Sequence, residues 1–161
     1  MSKPRSLVAV VVVVFSLALI AVGRAADADP TVRKATIQII ERAVDLSFQD
    51  AAPPGPSIGD RFVLTSDLFD GAGRKVGRDG GECVLVRVDP TAPPADQQLA
   101  HCTITVELPE GQITFQGLPH GTRNYFAVTG GTGAYRSARG QALVVDVVPL
   151  QEADITIELD P

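Results

Sequence analysis

The sequence predicts an all-β chain of eight short antiparallel strands, built as a sandwich or a barrel. Short runs rich in β-branched and aliphatic residues recur with period-2 alternation. Clusters of Gly, Pro and Asp separate them, and no run carries a convincing amphipathic helix. Strands at this spacing with Gly/Pro turns are the pattern of all-β sandwiches and barrels. Eight strands close into a small barrel with room for one ligand, and closure removes the free edges that favour aggregation. Periodicity alone does not choose between the two.

The first strand is read over Thr36 to Phe48. Ile37 and Ile39 alternate with polar residues, as do Val44, Leu46 and Phe48, and the phase slips around Ile40 to Ala43. Such a slip suggests a β-bulge; a helix is the rival, since Ile40, Ala43 and Val44 also suit helical spacing. Ala51-Ala52-Pro53-Pro54-Gly55-Pro56 is a loop. Arg61 to Phe69 is the second strand, closed by the turn cluster Asp70 to Gly73. The third is read from Cys83 to Val88, with Val84, Val86 and Val88 on one face, and a Pro-rich loop follows from Asp89 to Gln98. His101 to Leu108 and Gln112 to Gln116 form a hairpin about Pro109-Glu110-Gly111. Asn124 to Thr129, Gln141 to Val148 and Asp154 to Leu159 complete the set.

Composition is uneven. Residues 1–25 hold 17 of the hydrophobic residues, together with Lys3, Arg5 and Arg24 and no acidic group. Without them the formal net charge goes from −5 to −8. Lys3 and Arg5 precede an apolar run from Leu7 to Val22, and Gly23-Arg24-Ala25 offers small residues at −3 and −1 of a cut after Ala25. That is the layout of a secretory signal peptide, with an uncleaved anchor as the alternative and a cut after Ala28 also open. The domains read as 1–25 signal peptide, 26–35 loose segment and 36–161 barrel. The expected location is secreted or periplasmic, with no stable membrane insertion after cleavage. An acidic remainder lacks the basic face that phosphate backbones require, so no nucleic-acid partner is expected. Export lets Cys83 and Cys102 pair, each being in a strand-like run; two buried free thiols are the alternative.

Conventional chemistry finds little support. His101 and His120 have no second ligand at short spacing, so no metal site is expected. No Ser lies in a Gly-x-Ser-x-Gly elbow. Val128-Thr129-Gly130-Gly131-Thr132-Gly133-Ala134-Tyr135-Arg136 superficially suggests a dinucleotide turn. It is near the C-terminus, has Arg136 where a third Gly belongs, and is followed by no βαβ unit. Its glycines read instead as positive-φ turns and close backbone packing.

The stretch from Phe126 to Gly140, with Gly130-Gly131-Thr132-Gly133 and Ala138-Arg139-Gly140, resembles a segment of dirigent proteins and of the bacterial allene oxide cyclase barrel-like family. Gly55 to Val63, then Leu68, Asp70, Gly73, Val76-Gly77 and Gly81-Glu82-Cys83, resembles the front half of that bacterial family; Leu108 to Ile113 and Gly117 fit between. The resemblance covers about residues 36–159. It implies an eight-stranded antiparallel β-barrel with a central cavity, and relatives that control the shape of a reactive, largely apolar substrate. Such a cavity lowers a barrier by holding one near-attack conformer and excluding water. No cofactor is called for.

Four residues are candidates for the site. Asp67, near the acidic pair of dirigent proteins, is a proton donor or acceptor if it faces an apolar interior, or else a solvated strand-end residue. Arg139 in the Ala-Arg-Gly match steadies an oxyanion or binds a carboxylate, or else makes a rim ion pair. Tyr125 and Tyr135 contact a ligand, or else pack. Glu82 and Glu107 read as outward-facing. The expected function is binding of a small hydrophobic, unsaturated molecule, with its cyclisation or coupling guided by the cavity. A non-catalytic extracellular carrier is the alternative, and association into homo-oligomers through outer faces is a third reading.

Overall fold

The computed structural model describes residues 35–161. The expected signal peptide and the loose segment before Ala35 lie outside the described residues. The strands are β1 (Ala35–Gln49), β2 (Arg61–Phe69), β3 (Lys75–Val88), β4 (Gln98–Leu108), β5 (Gly111–Gly117), β6 (Arg123–Gly131), β7 (Gly140–Val148) and β8 (Glu152–Leu159). Each pairs antiparallel with the next and β8 pairs with β1, so the sheet closes into a barrel. All eight expected strands are present, and closure decides between barrel and sandwich.

The expected phase slip in β1 is a register shift between Ala43 and Asp45. It reverses which side chains face inward: Ile39 is buried before it and Leu46 lines the interior after it. The largest difference from expectation is β3, which begins at Lys75 rather than Cys83. Gly77, Gly80 and Gly81 and the charged Lys75, Arg78 and Asp79 hide that half, because these residue types are depleted in strands. At Gly81 a Cβ would come within 2.8 Å of the Thr103 carbonyl oxygen and 2.9 Å of the Ile104 side chain, so the missing side chain lets β3 and β4 approach closely.

Inward-facing side chains fill one half of the barrel. Leu68, Val106, Ile113, Phe115 and Ile157 are fully buried there, and Phe115 meets Phe126 edge to face at 5.6 Å. This end is capped by a 3₁₀ turn, Gly133–Tyr135, laid on the β4–β5 hairpin. The Ala134 and Thr132 N–H groups donate to the Glu110 and Gln112 carbonyls, both at 2.9 Å. Gly133 has φ +59° and a Cβ there would collide with the Glu110 carbonyl oxygen. The Gly-rich segment is thus a closing plug, as its packing reading expected. Cys83 and Cys102, directly opposite on β3 and β4, form the expected disulfide.

Candidate functional site

The other half of the barrel is not filled. A cavity of about 170 Å³ opens at the end where the loops after β1, β3, β5 and β7 gather. Its wall is mostly apolar: Leu46, Phe62, Leu64, Ile104, Phe126 and Val144, with the Cys83–Cys102 disulfide. Its polar groups are few and specific. Asn124 is buried at the mouth, where its Oδ1 accepts from the His120 N–H and its Nδ2 donates to the Gly121 carbonyl, fixing the loop before β6.

Deeper in, three polar side chains from three consecutive strands meet where packing gives way to cavity. Ser66 on β2 is between Leu64, which lines the cavity, and Leu68, which is fully buried. The Ser66 hydroxyl donates to Glu41 Oε1 at 2.8 Å. Asp79 on β3 is directly opposite Ser66, only 5% exposed, and neither of its carboxylate oxygens has a hydrogen-bond donor of good geometry. Burial pushes the Glu41 carboxyl up to about 7, and the neighbouring Asp79 charge pushes the same way. Burial likewise raises Asp79 to about 6. Asp146, also in the cavity wall, is raised by burial.

The two acids belong to one unit. Ionising both would place two negative charges side by side in a mostly apolar enclosure, which disfavours loss of the second proton. The result is a proton donor next to a proton acceptor, at the pH where general acid–base groups work best. Asp79 interacts with both Ser66 and Glu41, which ties the three side chains into one group.

The residues singled out from the sequence sit elsewhere. Asp67 is on the face of β2 opposite Ser66 and pairs with Lys75 Nζ at 2.6 Å. Arg139 is exposed, just before β7, with Nη1 donating to the Ala138 carbonyl at 2.7 Å. Tyr125 is on the outer face of β6, beneath the Arg123 guanidinium. Tyr135 belongs to the closing plug, where its hydroxyl donates to Glu110 at 3.3 Å. None of the four lines the cavity, and Asp67 and Arg139 do not share one enclosure. Glu82 and Glu107 face outward, beside Arg61 and Arg78.

Glu41 and Asp79 escaped the sequence reading although strand parity carried a signal. Glu41 continues the inward series Ile37, Ile39, and Asp79 is in phase with Cys83. A carboxylate in phase with an apolar strand face is the pattern to seek. Asp67 is out of phase with Leu64, Ser66 and Leu68.

Comparison with known proteins agrees with this geometry. The family model for the allene oxide cyclase barrel-like domain matches residues 40–159. No curated protein matches the sequence. Among solved structures, a pyocyanin demethylase is 27% identical, covering 78% of this chain and all of that one, with a TM-score of 0.67. AbnU, an exo-specific intermolecular Diels-Alderase, is 17% identical over 79% of this chain and 98% of its own, with a TM-score of 0.63. The Diels-Alderase AbmU from Streptomyces koyangensis is 16% identical over 81% and 72%, with a TM-score of 0.61. The last two likenesses bear on the fold alone. With the family model spanning most of the barrel, the chain belongs to the allene oxide cyclase barrel-like family.

Proposed function

We propose that the barrel binds a small, apolar, unsaturated molecule in its open half, and that the Glu41–Asp79 pair exchanges a proton with it or hydrogen-bonds to it during an isomerisation, cyclisation or related rearrangement. The carrying observation is the juxtaposition of the half-buried Glu41 and the buried Asp79, both raised toward neutrality, with a mostly apolar cavity. A ligand carbonyl or ring nitrogen at the Glu41 end would accept the shared proton or its hydrogen bond, drawing electron density from the conjugated system. The apolar wall would hold one conformer and keep water out. Similar barrels that act on pyocyanin or catalyse Diels–Alder additions support this reading.

A methyl-resolved NMR titration with naphthol tests the binding. Shifts at Leu64, Ile104 and Val144 are expected; shifts confined to the outer face, or none, would overturn the reading. Native mass spectrometry of protein from its own host should then identify the natural molecule. On that molecule E41Q should abolish turnover yet keep binding within about threefold, while D67N and R139Q serve as controls outside the cavity. A carrier is the second reading, favoured by the predominantly apolar wall. Recovery of the ligand unchanged by wild type and E41Q alike would support it.

The disulfide also supports an oxidising compartment, and with it the reading of residues 1–25 as an export signal. Mass spectrometry of the secreted chain should find Ala26 at its N-terminus, and an intact residue 1 would argue for an anchor.

A further inference from the structure

We propose that the Phe62 ring is a partition between two chambers, and that it sets the length of ligand the barrel accepts. Phe62 lines the inner cavity and also walls a second hollow of about 300 Å³ outside it. Phe48, Pro56 and Leu85 give that outer hollow its apolar wall, with Arg61 as its cation and Asp50 and Asp60 as its acids. Among the described residues, no other lines both spaces. On β2, Phe62 is opposite Phe48 of β1 on one side and Cys83 of β3 on the other. Its ring lies 5.6 Å from that of Phe48, which is 67% exposed and has space to yield.

Size makes the partition matter. The inner cavity alone suits about one small aromatic system, since an engineered cavity of about 150 Å³ holds benzene. Joined, the two spaces fall within the roughly 300–1,000 Å³ common for small-molecule sites. Rotation of the Phe62 ring would join them, so a longer ligand can lie with its unsaturated part inside and its tail in the outer hollow.

The outer hollow also indicates the chemistry of that tail. Asp60 is committed to the loop: its carboxylate accepts from the Ala51 and Ser57 N–H groups at 2.8 and 2.9 Å and from the Ser57 hydroxyl at 2.9 Å. These bonds hold its carboxyl below the usual range and brace the hollow. Arg61 is half-exposed and its ion pair with Glu82 is long, 4.0 Å. Its guanidinium is therefore available for an anionic end group, and a carboxylate suits its paired donors. The ligand class is a conjugated apolar chain ending in a carboxylate.

This inference rests on the cavity being a ligand site, and one experiment separates the two. Fluorescence titrations compare naphthol, which fits the inner chamber, with parinaric acid, a long conjugated polyene carboxylate, on wild type, F62A, F62W and R61Q. F62A should shift the affinity ratio of parinaric acid to naphthol about tenfold toward parinaric acid. F62W should shift the same ratio toward naphthol, a second arm that stands if F62A is poorly folded. R61Q should weaken parinaric acid but not its methyl ester. Equal effects of the Phe62 variants on both probes, or none on either, would overturn the partition while the cavity reading stands. Failure of naphthol to bind wild type would overturn the cavity reading itself.

Discussion

The two halves of this barrel are built from the same strands but spend them differently. Toward the plugged end, the inward positions carry Leu68, Val106, Ile113, Phe115 and Ile157, all fully buried. Toward the open end, the same strands offer Leu64, Ile104 and Val144 around a cavity, with Glu41, Ser66 and Asp79 at the boundary. A filled half supplies stability, and an unfilled half supplies a site whose acids are held near neutrality by the apolar wall around them. The comparison teaches that the reactive level of the barrel is the seam between the two. There burial is deep enough to raise the carboxyls, while Glu41 and Ser66 still face the cavity.

This contrast can be broken in several ways. Phe115→Ala in the packed half should cost about 3–5 kcal/mol in urea denaturation, the usual range for a buried aromatic truncated in a tight core. A loss under about 1 kcal/mol would show that the half is not tightly packed. The open half holds the cavity, and the Cys83–Cys102 disulfide is part of its wall. Replacing Cys83 and Cys102 together by Ala should cost about 3 kcal/mol, the value for a closed loop of this length.

The acids at the seam should make stability depend on pH in an unusual direction. Their folded values are raised, so the folded state binds protons more tightly than the unfolded chain between about pH 4 and 7. Stability from this pair is therefore present at low pH and lost as pH rises through 6 to 7. The loss from pH 6 to 8 should be on the order of 2 kcal/mol. E41Q should flatten that slope and make the protein more stable than wild type at pH 8. A wild-type stability independent of pH in this window would contradict the buried pair. The smallest effect should come from Leu64→Ala in the cavity wall, about 1 kcal/mol, because the side chain is already partly exposed. A cost matching that of Phe115→Ala would erase the distinction between the halves.

The fold was largely legible because the strands alternate and their turns are rich in Gly, Pro and Asp. The phase slip in β1 announced the bulge between Ala43 and Asp45, and two cysteines in facing strand-like runs suggested the disulfide. The first half of β3 was hidden because Gly77 and Gly81 earn their place by close approach to β4, which no local propensity records. The site was less legible. Asp67 drew attention through its place in a motif, but a strand's parity decides which face a carboxylate occupies, and Asp67 faces Lys75. Glu41 sits just before the bulge, where the phase of β1 was least clear. Asp79 sat in the unrecognised half of β3. Their proximity depends on three strands in register, and that is a property of closure.

The central claim is that Glu41 and Asp79 share a proton at the floor of the ligand cavity. Side-chain carboxyl ¹³C shifts of Glu41 and Asp79, followed from pH 3 to 9 with and without naphthol, test it most directly. The account predicts a coupled, two-step titration centred near pH 6 to 7 that moves when naphthol binds and collapses to a single step in D79N. Two independent titrations near pH 4, unchanged by naphthol, would contradict it.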